Sequence, residues 1–207
     1  MPSPRRTHSV LGDYFRISRG QVTGCNQIWI ATEATKRLIP ERYLFPCVTD
    51  ASEIINAPGV LRGPAMLRRV IDLPMDLHEL TASERRKVDV FLEMAKRSGA
   101  ADSYIAKHRK PWWRVGLKSP PPIMMSYMGR RPPVFARNAC GARLLNIAHA
   151  LVPLRPLSIR SQDKFVAWLN ENVSTTVGRT YGGGLVKFEP GEAMRIPIPD
   201  EFISDAA

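Results

Sequence analysis

Four cations and two adjacent indoles fall within Lys107-His108-Arg109-Lys110-Pro111-Trp112-Trp113-Arg114. Guanidinium forks and lysine ammoniums neutralise phosphates, and an exposed indole can stack on a base or wedge a base step. The same tryptophans could instead belong to a core, with the cations snorkelling around them. Both readings are open at this stage. A second basic run, Gly129-Arg130-Arg131-Pro132-Pro133, leads into Val134-Phe135-Ala136-Arg137-Asn138. Arginine suits guanine O6 and N7, and asparagine suits adenine N6 and N7, so Arg137, Asn138, Arg143, Asn146 and His149 form a possible base-reading set. For the two asparagines a turn-closing amide is an equal alternative, and for His149 a satisfied core imidazole is the favoured one.

The charge balance points the same way. The chain has 207 residues, with 30 Lys and Arg against 19 Asp and Glu, a formal net charge of +11. Between Ser103 and Gln162 stand eleven basic residues and no acid, while the remaining 147 residues carry nineteen of each sign. One stretch therefore holds the whole surplus and would attract a polyanion, nucleic acid first.

Other chemistry is poorly supplied. A hard-cation site needs clustered carboxylates, and this stretch has none. His8, His78, His108 and His149 lack zinc-ligand spacing, and Cys25, Cys47 and Cys140 contain no C-x-x-C, so no metal site, no catalytic residue and no disulfide framework is expected. Tyr181-Gly182-Gly183-Gly184 lacks the spacing of a phosphate loop. No run of apolar residues is long enough to span a membrane and the N-terminus has no apolar signal core, which together with the cysteine usage suggests the cytoplasm.

The elements that must position these side chains read as short. Gly 14 and Pro 18 promise many turns, and 44% apolar with 24% charged residues is a globular composition. Residues 1–9 read as a loose leader, 10–199 as one folded unit and 200–207 as a tail. Strands are expected at Phe15 to Arg19, Ile28 to Ala31, Leu67 to Leu73, Ile123 to Tyr127, Val134 to Asn138 and Ala142 to Leu151. A helical turn is expected through Ser52 to Asn56. Thr81 and Glu84 form a capping-box pair opening a helix over Ala82 to Ser98, closed by Gly99, and a second helix is expected from Gln162 to Glu171 with Ser161 as its cap. Gly191 to Met194 reads as a turn. Ile196-Pro197-Ile198-Pro199 cannot be a central strand, because its prolines lack donors.

Five segments in order resemble a known family: Phe15-Arg16-Ile17-Ser18-Arg19-Gly20-Gln21-Val22-Thr23-Gly24-Cys25-Asn26, the His108 to Trp113 run, Arg137-Asn138, Asn146 with His149, and Arg179-Thr180-Tyr181-Gly182-Gly183-Gly184-Leu185-Val186-Lys187-Phe188-Glu189-Pro190. They are similar to the C-terminal region of adenine-specific DNA methyltransferases of type II restriction-modification systems, over about Val10 to Pro199. The resemblance implies an α+β target recognition domain that clamps duplex DNA opposite a catalytic lobe, with short twisted mixed or antiparallel strands and a few packed helices. It adds Arg19 and Thr23 in the glycine loop, and Arg179, Tyr181 and Lys187 near the glycine run, as DNA-contact candidates. The full candidate set is then Arg19, Thr23, Lys107, Arg109, Lys110, Trp112, Trp113, Arg114, Arg130, Arg131, Arg137, Asn138, Arg143, Asn146, Arg179, Tyr181 and Lys187.

The family's catalytic lobe carries a glycine-rich S-adenosylmethionine motif and an (Asn/Asp/Ser)-Pro-Pro-(Tyr/Phe/Trp) tetrapeptide. Ser119-Pro120-Pro121-Pro122 has proline where a ring must stack, and Arg131-Pro132-Pro133-Val134 fails at both ends. The expectation is a recognition module whose S-adenosylmethionine and catalysis reside on a separate lobe. The rival is a basic interaction subunit that binds RNA or an acidic protein.

Overall fold

The computed structural model describes residues 9–199. The expected tail, and the expected leader apart from Ser9, lie outside the described residues. In chain order the strands are β1 (Ser9–Val10), β2 (Phe15–Arg19), β3 (Leu44–Val48), β4 (Gly59–Leu61), β5 (Arg69–Ile71), β6 (Ile123–Ser126), β7 (Met128–Gly129), β8 (Phe135–Asn138), β9 (Arg143–Leu144), β10 (Ala148–Pro153), β11 (Arg179–Tyr181), β12 (Leu185–Lys187) and β13 (Pro197–Ile198). The helices are α1 (Asn26–Trp29), α2 (Glu33–Lys36), α3 (Ser52–Ile55), α4 (Ala82–Arg97), α5 (Tyr104–Lys107), α6 (Ile159–Asn172) and α7 (Pro190–Met194). This is an α+β fold of short strands and two substantial helices.

The central sheet has the order β2-β10-β6-β8-β4, antiparallel except for the β4–β8 pair. Its pleat separates two cores, because alternate side chains face opposite sides. Along β6, Ile123 and Met125 point into a cluster with Phe165, Val166 and Leu169 of α6, while Met124 joins Ile54 of α3, Ala136 and Ala150 on the other face. A third core packs Val88, Phe91 and Leu92 of α4 against Leu44, Cys47, Val70 and Ile71 of a smaller sheet, β5-β3-β9. Two outlying ribbons complete the fold, β11-β12-β7 and β1-β13.

Local sequence explains α4 well. The Glu84 amide donates to the Thr81 hydroxyl (3.3 Å), the Thr81 amide donates to the Glu84 carboxylate (3.0 Å), and Gly99 takes the left-handed conformation (φ 76°) that ends the helix. Helix α6 starts three residues earlier than the apolar spacing suggests, with Ser158 rather than Ser161 as cap. Its first apolar residue, Ile159, is solvent-exposed, so that turn leaves no core-facing signature.

Two expected strands are corrected. Of Ile28 to Ala31, Ile28 and Trp29 belong to the helical turn α1, and Ile30 makes a single bridge to Val70. The turn carries Trp29 into full burial, edge-on to Phe91 at 5.8 Å, and that packing overrides the β propensity of the two isoleucines. Ala142 to Leu151 is broken at Leu145, so that β9 runs parallel to β3 in the small sheet while β10 enters the large one. The expected strand at Leu67 to Leu73 shortens to β5, and the terminal prolines sit in β13, whose partner is β1.

His149, on β10, is completely buried. Its Nε2–H donates to the Phe188 carbonyl (2.8 Å), its ring stacks on Tyr127 (4.6 Å), and Nδ1 has no partner. Burial holds its pKa below the ordinary 6.5, against the opposing pull of Phe188 and Glu189. The folded state thus prefers the neutral ring while the unfolded chain takes up a proton near pH 6.5. Stability from this group is present above that pH and is lost as pH falls toward the depressed folded value. In urea titrations the wild-type midpoint should drop below about pH 6.5, by at most about 1.4 kcal/mol per pH unit from this group, and His149→Gln should flatten that part of the curve.

Candidate nucleic-acid interface

The residue that follows strand β2 has to be glycine. A Cβ on Gly20 would lie 2.0 Å from the Leu145 carbonyl oxygen, because the backbone there is pressed against the β9–β10 connection. The Gly20 amide donates to Ala148 (3.1 Å), the Gln21 amide to Leu144 (2.8 Å), and the Asn146 amide returns to Gln21 (3.0 Å). Beyond this seam the buried Thr23 hydroxyl donates to Asn26 Oδ1 (2.5 Å) and accepts from the Cys25 amide (3.2 Å). Thr23 therefore shapes its own loop, with Gly24 at φ +86° completing the turn.

The basic segment lies across that loop. The half-buried Arg109 guanidinium donates to the Thr23 carbonyl (2.9 Å) and to the Val22 carbonyl, and burial lowers its pKa against the attraction of Asp72. Gln21 Nε2 donates to Val115 O (3.1 Å), and Lys118 Nζ donates to Arg19 O (3.0 Å). Asp72 fixes the segment's far end by accepting from the amides of Gly116 and Leu117, both at 2.8 Å. Trp112 and Trp113 are half-buried against the third core: Trp112 meets Trp29 edge-on (6.2 Å), and Trp113 Nε1–H donates to the Pro74 carbonyl (3.1 Å). The side chains of Lys107, Lys110 and Arg114 remain exposed, with no hydrogen-bond or ion-pair partner among the described residues.

The candidate base readers on the strands have other tasks. Arg137 is largely enclosed and forks onto Asp163 of α6 (2.6 and 3.4 Å). The Asn138 amide group donates to Pro121 O (2.9 Å) and Ala142 O (2.8 Å) and accepts from the Ala142 amide (3.0 Å), which is the turn-closing alternative. Arg143 donates to Leu117 O (2.8 Å) and covers the Phe45 ring at 3.9 Å. Asn146 is partly exposed beside the Gly20 seam. In this structure Arg137, Asn138 and Arg143 hold chain segments together.

The ribbon β11-β12-β7 is different. Every residue of β11 is exposed, and Gly182 and Gly184 at the tip have open space around them. Arg130 and Arg131, just after β7, are exposed, and Arg130 lies beside the tip, its Nη2 3.9 Å from where a Gly183 Cβ would sit. Arg179 reaches Glu192 (3.0 Å), Lys187 reaches Glu189 (2.5 Å), and Glu189 also receives Arg19 (2.5 Å). Lys118, Arg19, Glu189 and Lys187 are therefore in successive contact. They join the basic segment to the ribbon.

Of the eleven basic residues of the acid-free stretch, Arg137 alone is ion-paired among the described residues. Residue spacing did not show the partners of Lys118 and Gln21, since their contacts join segments about a hundred positions apart. The three cysteines are unpaired, and burial pushes the Cys47 thiol up to about 12. The described residues contain no group of three or more side chains placed to hold a metal ion, and no helix long and apolar enough to cross a membrane.

Comparison with known proteins agrees with this architecture. The chain is 54% identical over 189 residues to the type II methyltransferase M.XamI of Xanthomonas campestris pv. amaranthicola, covering 91% of this chain and 36% of that protein. It is 24% identical over 186 residues to the type II methyltransferase M.AccI of Acinetobacter calcoaceticus, covering 86% and 34%. The chain spans about a third of the length of these curated relatives. The type IIG restriction endonuclease BpuSI has a matching fold, with a TM-score of 0.63 at 15% identity over 93% of this chain and 24% of that one. The family model for the C-terminal domain of type II methyltransferase M.Eco57I matches residues 4–207, and the chain belongs to that family.

Proposed function

We propose that this domain is the DNA target-recognition module of a type II methyltransferase, and that the base its enzyme methylates is adenine. The observation that carries the reading is the strip made by the basic segment and the ribbon, which are joined through Lys118, Arg19, Glu189 and Lys187 and carry the exposed cations Lys107, Lys110, Arg114, Arg130 and Arg131, unpaired among the described residues. Rigid stitching of that strip by Arg109, Gln21 and Asp72 suits a surface on which a duplex lies in one register. The names of the relatives supply the methyltransferase context, and the adenine preference follows from the sequence resemblance alone.

In this reading Lys107, Lys110, Arg114, Arg130 and Arg131 contact phosphates. Arg109, Thr23, Trp112 and Trp113 position that surface. Arg19, Lys187, Arg179 and Tyr181 flank or form the ribbon that would enter a groove, where edge groups are read directly. Methyl transfer requires S-adenosylmethionine, and the residues present do not fit it: Gly182, Gly183 and Gly184 stand exposed at a ribbon tip instead of at the base of a pocket. A separate catalytic lobe would hold that cofactor.

Duplex affinity should fall on the order of a thousandfold between about 50 and 200 mM salt if half of the clustered cations touch phosphate. Replacing both Lys107 and Lys110 with Ala should lower the slope of log K against log salt by about 2. Arg137→Ala should leave that slope unchanged and cost about 2 kcal/mol of stability in urea denaturation, since it strips Asp163 of its partner. Single-stranded RNA or an acidic protein displacing the duplex in competition would favour the interaction-subunit reading.

A further inference from the structure

Tyr104 and His108 stand one helical turn apart on α5 and its cap, with ring centroids 4.2 Å apart and an interplanar angle of 37°. Tyr104 is 75% exposed, and no core cluster includes it. His108 covers one side of the phenol ring, and the ring pair is anchored by the contact of His108 Nδ1 with the Tyr104 carbonyl at 2.7 Å. A large aromatic surface left in water at this degree of exposure contributes little to folding. Its surroundings are cationic: Lys107 lies between the two rings in sequence, and Lys110 and Arg114 follow, all three exposed and unpaired among the described residues. Exposed Asp102, on the preceding turn, is the single acid nearby in the chain.

The mounting is rigid. The Ser103 hydroxyl caps α5 by accepting from the Ala106 amide (3.2 Å), and a Cβ on Gly24 would stand 2.8 Å from that same hydroxyl and 3.2 Å from Ile105 Cβ, so the short helix is seated on the glycine loop. Arg109 locks the next residues onto the same loop. An aromatic pair fixed at the edge of a row of free cations has the composition of a stacking platform: phosphates meet the ammoniums while a base meets the ring.

We propose that Tyr104, backed by His108, is a binding site for a nucleobase that has left the duplex stack, with Lys107 and Lys110 holding the flanking phosphates. The site rests on the DNA-binding reading above and extends it, because enzymes that modify a base must expose it and disturb the steps beside it. Stacking does not need the phenol hydroxyl, so phenylalanine should serve and alanine should not.

The test uses the full chain with two labelled DNAs, a duplex and the same duplex carrying a bulge of unpaired thymidines, measured by fluorescence anisotropy. The wild type should prefer the bulged DNA. Tyr104→Ala should lose about five- to tenfold in affinity for it and nothing for the paired duplex. Tyr104→Phe should bind both like the wild type, and His108→Ala should lose a part of the bulge preference. Thermal melting of all variants should be unchanged. Equal binding of the two DNAs by the wild type, an intact bulge preference in Tyr104→Ala, or its absence in Tyr104→Phe would overturn the platform while leaving the duplex interface standing. Failure of the wild type to bind either DNA would overturn both.

Discussion

A single guanidinium holds the candidate surface in shape. Arg109 donates to two consecutive carbonyls of the glycine loop, and in doing so fixes the basic segment to the end of β2. Placing a cation against backbone oxygens in a half-buried site costs hydration, and the compensation comes from charge-assisted hydrogen bonds with Asp72 near enough to favour the charged form. Without that anchor, a stretch rich in proline and like charges would keep only its tryptophan and Asp72 contacts, and self-repulsion would loosen the cations between them. The segment's other contacts hold it elsewhere: Gln21 to Val115, Lys118 to Arg19, Trp113 to Pro74, and Asp72 to the amides of Gly116 and Leu117.

Acidic residues are placed to support this arrangement without cancelling it. Asp72 satisfies amides at the segment's end, Glu189 gathers Arg19 and Lys187, and Glu192 steadies Arg179. Each carboxylate sits where two chain segments meet, and the side chains of Lys107, Lys110, Arg114, Arg130 and Arg131 are left unneutralised.

What could be read from the residues followed the range of the interactions involved. Helix α4 was legible because its cap, its apolar face and its terminating glycine are all local. Strand β2 and the helical turn at α3 were legible for the same reason. The turn α1 was not, since Trp29 takes its conformation from Phe91, sixty-two positions away. The division of 142–151 between two sheets depends on which neighbours each half meets, which no periodicity encodes. The site divides along the same line. That a cationic surface exists was written in the charge distribution, whereas the partners of Arg137, Asn138 and Arg143 were set by segments that fold against them from afar.

That last point bears on how such a domain could read a sequence. A polar side chain in a strand of a small domain is under pressure to satisfy neighbours, since a buried donor left unpaired is costly. Base-reading groups must be free of intramolecular partners and still be held in place, and central strands seldom meet both conditions. The ribbon β11-β12-β7 comes nearer to both, because its ladder is satisfied within itself while β11 faces water on every residue, with Arg179 steadied by Glu192 and Lys187 by Glu189. Its glycine tip admits close approach of backbone to a groove, and its attachment through Phe188 to buried His149 gives it a rigid base. On the proposed target-recognition reading, such a domain would keep its core and its cationic segment constant while residues 179–184 vary, and preference for a site would change without a new fold.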